Sequence, residues 1–257
     1  MRGTLVPDSA CVTELVPSPN FDERAAGCGV DMVLLHYTGM DDDDEALRRL
    51  SDPDSKVSSH YLVREDGVVV QLVGESCRAW HAGAGSWHNV RDVNSSSIGI
   101  EIGNRGHNYP ERDAVPPPYP GRQIEAVIAL AADIVRRRGI AATRVLGHSD
   151  IAPQRKADPG EHFPWPRLFA AGLGLPIPLS RESRNPAPAE GVSSGAMVGE
   201  IQRKLAAAGY EIIVTNCFDS QTRNVIRAFQ RHFHPVRVDG LADAGTLAAL
   251  DELVKHL

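Results

Sequence analysis

Short apolar strands alternate with amphipathic helices over about the first 175 residues of this 257-residue chain. The stretch GVDMVLLHYTG, residues 29–39, contains an apolar run from Met32 to Leu35, which predicts a buried central strand that ends at His36. Elements that alternate in this way pack as a sheet covered by helices. The pattern therefore predicts an α/β fold with a mixed central β-sheet flanked by helices.

Further segments fit this pattern. The run DDDDEALRRLSD from Asp41 has the charge distribution of a helix with an acidic start and a basic end, and it lacks the ligand spacing and glycine of a calcium loop. HYLVREDGVVVQLVG, residues 60–74, predicts a hairpin around Asp66 and Gly67. A helix is expected from about Gln123 to a stop at Gly139, and RVLG then resumes a strand.

The C-terminal part of the chain has a different composition. Residues 180–196 are rich in proline, serine and other small residues, which predicts a linker. Three amphipathic helices follow, the second capped by Asp219 or Ser220 and the third by Asp243. We therefore predict an α/β domain over residues 1–179, a linker over residues 180–196 and a small all-α three-helix module over residues 197–257.

Charge and hydropathy exclude several functions. The net charge of −6 gives no general reason to bind nucleic acid or anionic lipid. The N-terminal residues lack the apolar run of a secretory signal, and no stretch approaches the 18 apolar residues of a membrane span. The cysteines, Cys11, Cys28, Cys77 and Cys217, suggest no disulfide framework. We expect a cytoplasmic protein, with the periplasm or cell envelope as the alternative if a leader was removed.

Two strand-end histidines and one loop carboxylate are candidates for a metal site. His36 and His148 each end a predicted strand, and Asp158 lies ten residues after His148 in the loop VLGHSDIAPQRKADPGEHFPW. Catalytic zinc is typically held by three protein ligands and a water. Sequence spacing alone does not show that these residues converge. Glu101, between two glycines in the strand SSIGIEIGN, is a charged residue on the strand face opposite its isoleucines.

Five ordered motifs resemble those of one enzyme family. LLHYTG, SSHYLVREDG, AWHAG, SSIGIEIGNRG and GHSDIAPQRKADPGEHFPW are similar to motifs of the zinc-dependent N-acetylmuramoyl-L-alanine amidases of the AmpD and AmiD type, the amidase-2 family. The similarity covers about residues 29–172. The tail, with IQRKLAAAGY and VIRAFQRHF, resembles a three-helix peptidoglycan-binding module.

The resemblance implies a ligand set and a reaction. It makes His36, His148 and Asp158 the ligands of one Zn²⁺ ion, with Glu101 and Lys156 as catalytic partners. It implies hydrolysis of the amide between the lactyl group of N-acetylmuramic acid, or its 1,6-anhydro form, and L-alanine of the stem peptide. Peptidoglycan fragments are then the expected partners. Some relatives have, where this chain has Ser59, a tyrosine that assists the zinc site. Glu101 could take that role here.

Other motif residues are candidates for substrate contact or for structural roles. Substrate contacts are expected from Trp80, His81, Asn104 and Arg105, with Trp87 as a further residue of the groove. His60 is expected to be structural, and Asp150 to be a loop cap or surface carboxylate rather than a partner that orients a histidine. His162 is equally compatible with packing, solvent exposure and substrate contact.

Three alternatives stay open at this point. A catalytically silent peptidoglycan-binding protein on the same fold would lack a ligand or the acid–base residue, whereas this chain retains all of those positions. A metallopeptidase would be expected to carry HExxH or a similar signature, which is absent. A cysteine hydrolase lacks a family signature around any cysteine. The sequence does not decide between anhydro and intact muropeptides, nor whether the tail binds glycan or packs on the catalytic domain.

Overall fold

The computed structural model describes residues 4–107, 117–175 and 195–257. Eight strands lie in these ranges: β1 Glu14–Leu15, β2 Phe21–Glu23, β3 Met32–Tyr37, β4 Tyr61–Val63, β5 Val69–Gln71, β6 Cys77–Ala79, β7 Ser97–Ile102 and β8 Val145–Gly147. The α-helices in the same ranges are α1 Asp43–Ser51, α2 Val93–Ser96, α3 Gly121–Arg138, α4 His148–Ile151, α5 Trp165–Ala170, α6 Gly195–Ala208, α7 Ser220–Phe233 and α8 Ala244–Lys255.

Six of the strands form a mixed sheet in the order β1-β5-β4-β7-β3-β8. Only the β4–β5 pair is antiparallel, and it is the hairpin predicted around Asp66 and Gly67. The other neighbours in this sheet run parallel. β2 and β6 form a separate antiparallel pair. The predicted mixed central sheet flanked by helices is confirmed.

The two faces of the sheet are covered by different parts of the chain. On one face, Val33 and Leu35 of β3 and the isoleucines of β7 pack against the apolar side of α3. On the other face, Met32 and Leu34 share a core with residues of α6, α7 and α8, such as Leu205 and Phe229. Because side chains alternate along a strand, His36 lies on the same face as Met32 and Leu34.

Capping residues set the helix limits as expected. The Asp42 side chain caps α1 by accepting a hydrogen bond from the Glu45 N–H, which confirms the cap interpretation of the aspartate run. α3 ends at Gly139, whose φ of 66° is left-handed and favours glycine. Asp219 and Asp243 cap α7 and α8.

The three helices of the tail are joined by a repeated arrangement. The buried Gln202 of α6 binds the loop before α7 through Thr215, Asn216 and Cys217. Gln230 of α7 binds the next loop in the same way, through Gly240 and Leu241. The predicted linker, residues 180–196, falls outside the described residues up to residue 194, and its last two residues already belong to α6.

Candidate active site

Parallel pairing brings the carboxyl ends of three strands to one edge of the sheet. In the register of β3 and β7, His36 is opposite Glu101, and in that of β3 and β8, Leu35 is opposite Gly147. His148 follows Gly147 directly as the first residue of α4. His36, Glu101 and His148 therefore project from one edge, where ligands bind in open parallel sheets.

The loop after α4 returns Asp158 to this edge. The Ser149 N–H donates to the Asp158 carbonyl oxygen at 2.9 Å. A Cβ atom on Gly147 would lie 2.7 Å from Cδ of Pro159, so the close approach of this loop requires glycine there. The loop that carries Asp158 is thus folded back onto the end of β8, the strand that precedes it in sequence.

Three donor atoms converge at the centre of this edge. His36 Nδ1 lies 2.9 Å from His148 Nδ1 and 3.1 Å from Asp158 Oδ2, and His148 Nδ1 lies 2.9 Å from the same oxygen. All three side chains are buried. Ligand atoms around a tetrahedral zinc ion, with bonds of about 2.0–2.1 Å, are separated by roughly 3.3 Å. The spacing and the donor types fit such an ion.

The hydrogen bonds of His148 leave Nδ1 free for a metal. Its Nε2 lies 2.9 Å from the carbonyl oxygen of Ala82, which can only accept. Nε2 therefore carries the proton of the neutral ring, and Nδ1 presents its lone pair to the other donors.

A chain of hydrogen bonds likewise places the proton of the His36 ring on Nε2. The hydroxyl of Ser97 donates to the Val93 carbonyl oxygen at 2.6 Å, so its oxygen accepts from Nε2 of His81, at 3.3 Å. Nδ1 of His81 then accepts from Nε2 of His36, at 3.0 Å. His36 is left with an unprotonated Nδ1 that faces the site.

Electrostatics favour a neutral His36 and an ionised Asp158. Burial, reinforced by His148, lowers the pKa of His36 to about 4, and burial also places the pKa of His81 well below its usual value. Burial alone would raise the pKa of Asp158, but the adjacent His148 and His36 lower it far below the usual range. This is the protonation state in which such residues bind a divalent cation.

The three donors open into a cavity of ≈ 570 Å³, a size typical of small-molecule sites. Glu101 projects into the cavity from β7, and its Oε2 atom is buried without a hydrogen-bond partner among the described residues. Burial and the charge of Asp158 raise the pKa of Glu101 well above its usual value. Lys156 also lines the cavity, and no acidic side chain of the described ranges forms an ion pair with it.

Residues 26–161, about half of the chain, match the family model described as N-acetylmuramoyl-L-alanine amidase. The chain belongs to this amidase family. Residues 194–250 match a second family model, for a peptidoglycan binding domain. No helix among the described residues is both long and apolar enough to cross a membrane.

Known amidases are similar over most of their length. The N-acetylmuramoyl-L-alanine amidase AmiD of Escherichia coli is 38% identical over 242 residues, which cover 90% of this chain and 85% of that protein. Its solved structure, a complex with the substrate anhydro-N-acetylmuramic acid-L-Ala-D-γ-Glu-L-Lys, has a TM-score of 0.76 and 34% identity over 92% of this chain and 98% of that one. The 1,6-anhydro-N-acetylmuramyl-L-alanine amidase AmpD of Enterobacter cloacae is 32% identical over 172 residues, 60% of this chain and 87% of that protein.

The predicted substrate contacts of this amidase fall into two groups. Trp80 and His81 line the cavity, and the indole N–H of Trp80 donates to Asp22. Asn104 and Arg105 are absent from the described residues that line it. The Asn104 side chain donates to the Pro117 carbonyl oxygen and accepts from the Gly106 N–H, whereas Arg105 pairs with Asp41. A substrate contact of these two residues stays a prediction.

Four further motif residues have defined places. His60 is structural, as expected, since its Nδ1 accepts from the Gly99 N–H. Trp87 is buried in the core against Tyr210, so the expectation that it lines the groove is wrong. His162 is exposed to solvent. Asp150 caps α4, as one alternative had it, but it is fully buried and not a surface carboxylate.

Sequence reasoning overlooked two arginines of this cavity. Arg49 lines it from α1, and the sequence offered it only as a basic residue at a helix end. Arg155 lines it next to Lys156, and its guanidinium donates to the carbonyl oxygens of Ala82 and Ala84. Its position beside Lys156 was the one available signal for Arg155.

Proposed function

We propose that this amidase uses one zinc ion to hydrolyse the amide between the lactyl group of N-acetylmuramic acid and L-alanine of the stem peptide. The observation that carries the proposal is the convergence of two imidazole nitrogens and a carboxylate oxygen beside Glu101 and Lys156 in one cavity. The family supplies the reaction class, and the donor set supplies the choice of zinc.

His36, His148 and Asp158 would hold the ion, because they present two imidazole nitrogens and one carboxylate oxygen at suitable separations. A zinc ion held there supplies a Lewis acid that acidifies water and polarises a carbonyl group. Ala82 and His81 hold the rings of the two histidines in the orientation that this requires.

Glu101 is the proposed general base and acid. Its carboxylate accepts the proton that the attacking water loses, and it then delivers that proton to the L-alanine nitrogen as the C–N bond breaks. The raised pKa of Glu101 makes it a stronger base than an exposed glutamate, and its unpartnered Oε2 atom has no competing hydrogen bond among the described residues.

Lys156 is the proposed partner of the negative charge that develops on the lactyl oxygen. An ammonium group in a partly enclosed cavity stabilises such charge more strongly than in water. Lys156 lines the same cavity as Glu101 and has no acidic partner in the described part of the chain, so its charge remains available.

The proposed substrates are muropeptides that carry the lactyl–alanine amide, in the anhydro or the intact form. The solved AmiD complex contains an anhydro-muramyl peptide as that enzyme's substrate, and the name of AmpD specifies the 1,6-anhydro form. Substrate contacts are proposed for Trp80 and His81, which line the cavity. A cytoplasmic location, with the cell envelope as the alternative, stays a prediction that fractionation of the native protein would test.

The domain assignment is part of the proposal. We assign catalysis to residues 1–179 and peptidoglycan binding to residues 197–257. The match of residues 194–250 to the peptidoglycan binding domain supports the second assignment. Binding of the full chain to isolated sacculi, compared between wild type and variants of the exposed loop between α6 and α7, would test it.

The test of the reaction measures zinc content and release of free peptide from anhydro-N-acetylmuramoyl-tripeptide. We expect one zinc per wild-type chain, loss of zinc and activity in Asp158→Ala, and retention of zinc with a rate reduced by about 10²–10⁴ in Glu101→Gln. Lys204→Ala, a change at a partly exposed residue of α6 that pairs with Glu200 and Asp251, is the control and should equal wild type in zinc content and activity. A wild-type protein that binds no zinc, or binds it and leaves the amide intact, would favour the silent peptidoglycan-binding protein.

A further inference from the structure

Asp150 lies two residues after His148 and carries a fully buried carboxylate. Its Oδ2 atom accepts from the Gly147 N–H at 2.8 Å, within the turn that leads into His148. Its other two partners come from the tail of the chain. The hydroxyl of Tyr210 donates to Oδ1 at 2.7 Å, and Nδ1 of His232 lies 2.8 Å from Oδ2.

These partners belong to a core that the tail shares with the sheet. Trp87 packs edge to face on Tyr210 with ring centres 5.0 Å apart, and Trp165 stacks on His232 with ring centres 3.7 Å apart. The same apolar cluster joins Leu146 of β8 to α6 and α7. The tail therefore packs directly behind the strand that delivers His148.

A buried carboxyl group lowers the stability of the fold unless hydrogen bonds satisfy its oxygens. Without Tyr210 and His232, Asp150 would keep only the Gly147 N–H of its three partners. Such a carboxylate would turn toward water, and the turn of residues 147–148 would move with it. His148 Nδ1 has to remain about 3 Å from two other donors, so a small rotation of α4 changes the site.

We propose that the C-terminal module helps to position the metal ligand His148. Tyr210 and His232 hold Asp150, and Asp150 fixes the turn that carries His148. Asp150, Tyr210 and His232 are positioning residues and touch neither metal nor substrate. The inference rests on the proposed zinc amidase function and adds to it a second task for the module, beside peptidoglycan binding.

The test uses full-length protein and measures zinc affinity by competition with a chromogenic chelator. Tyr210→Phe keeps the ring in the core and removes one hydrogen bond from Asp150, so we expect zinc affinity to fall about fivefold or more. Asp150→Asn should have a larger effect. In the double variant the losses should not add fully, because both changes disturb the same cluster of hydrogen bonds around residue 150.

Asn224→Ala is the matched control. It removes a hydrogen bond from α7 to Gln154, which also joins the tail to the loop after α4 but does not reach Asp150. We expect wild-type zinc affinity and sacculus binding in this variant. Thermal unfolding of each protein shows that the measurements are made on folded chains.

Wild-type zinc affinity in both Tyr210→Phe and Asp150→Asn, with lowered melting temperatures, would overturn the inference and leave the cluster a purely structural contact. A wild-type chain without zinc or amidase activity would instead refute the proposed function. If the variants weaken sacculus binding and leave zinc affinity unchanged, the module acts on the polymer alone, which also contradicts the inference.

Discussion

Substitution of His81 separates a role in substrate contact from a role in zinc binding, because His81 lines the cavity and also binds the ring of His36. In His81→Ala, Nε2 of His36 loses its acceptor at 3.0 Å, and the tautomer that aims Nδ1 at the metal is no longer selected. Removal of such an outer partner lowers metal affinity by about 10–100-fold. This corresponds to about 1.4–2.7 kcal/mol of binding free energy. We expect a loss of this size.

The assay combines zinc competition with steady-state kinetics at saturating zinc. Trp80→Ala is the control, since Trp80 lines the same cavity but its indole binds Asp22 and not a metal donor. We expect this control to raise KM and to keep wild-type zinc affinity. If His81→Ala raises KM and binds zinc as tightly as wild type, His81 is a substrate contact and does not set the tautomer of His36.

Three further variants test other parts of the structure. Gly99→Ala would place Cβ 2.5 Å from the His81 ring, so we expect about 1–3 kcal/mol of destabilisation and weaker zinc binding, with Gly29→Ala, where space is open, as the control. Glu75→Gln removes a buried carboxylate that binds Arg137 and Tyr61, which should cost about 2–3 kcal/mol at neutral pH by chemical denaturation. Although burial opposes ionisation, these partners lower the pKa of Glu75. The stabilisation by Glu75 is therefore present above the unfolded pKa of about 4.3 and is lost as pH falls. A difference in unfolding free energy between wild type and Glu75→Gln that persists unchanged at low pH would contradict this. Asp243→Ala removes the cap of α8 and should lower stability by about 1–2 kcal/mol, while an unchanged melting temperature would argue against the cap.

The longer elements could be predicted because their signals are local. The apolar run that ends at His36, the Asp-Gly hairpin and the caps Asp219 and Asp243 each act within a few residues. The strands β1, β2 and β6 went unpredicted, since two or three residues with partly exposed side chains carry no measurable period. Their pairing depends on partners that are distant in sequence.

The site was predictable as a set of residues but not as a network. Family motifs indicated the three donors, yet the partners of Asp150 lie 60 and 82 residues further along the chain. No local pattern announces a contact of that range. The role of His81 likewise depends on the space above Gly99, which only the packed sheet creates.

The position of the metal donors on the sheet explains why the tail and the site are connected. Along β3, Met32 and Leu34 meet the core shared with the tail, and His36 is the next residue on that face. Because side chains alternate, the face that packs against the tail at the start of the strand is the face that holds the donor at its end. A slip of one residue would direct Leu35 into the site and His36 into the core under α3. The apolar contacts made by Met32 and Leu34 thus help to fix the register that places His36, so the tail contributes to the site through β3 as well as through Asp150.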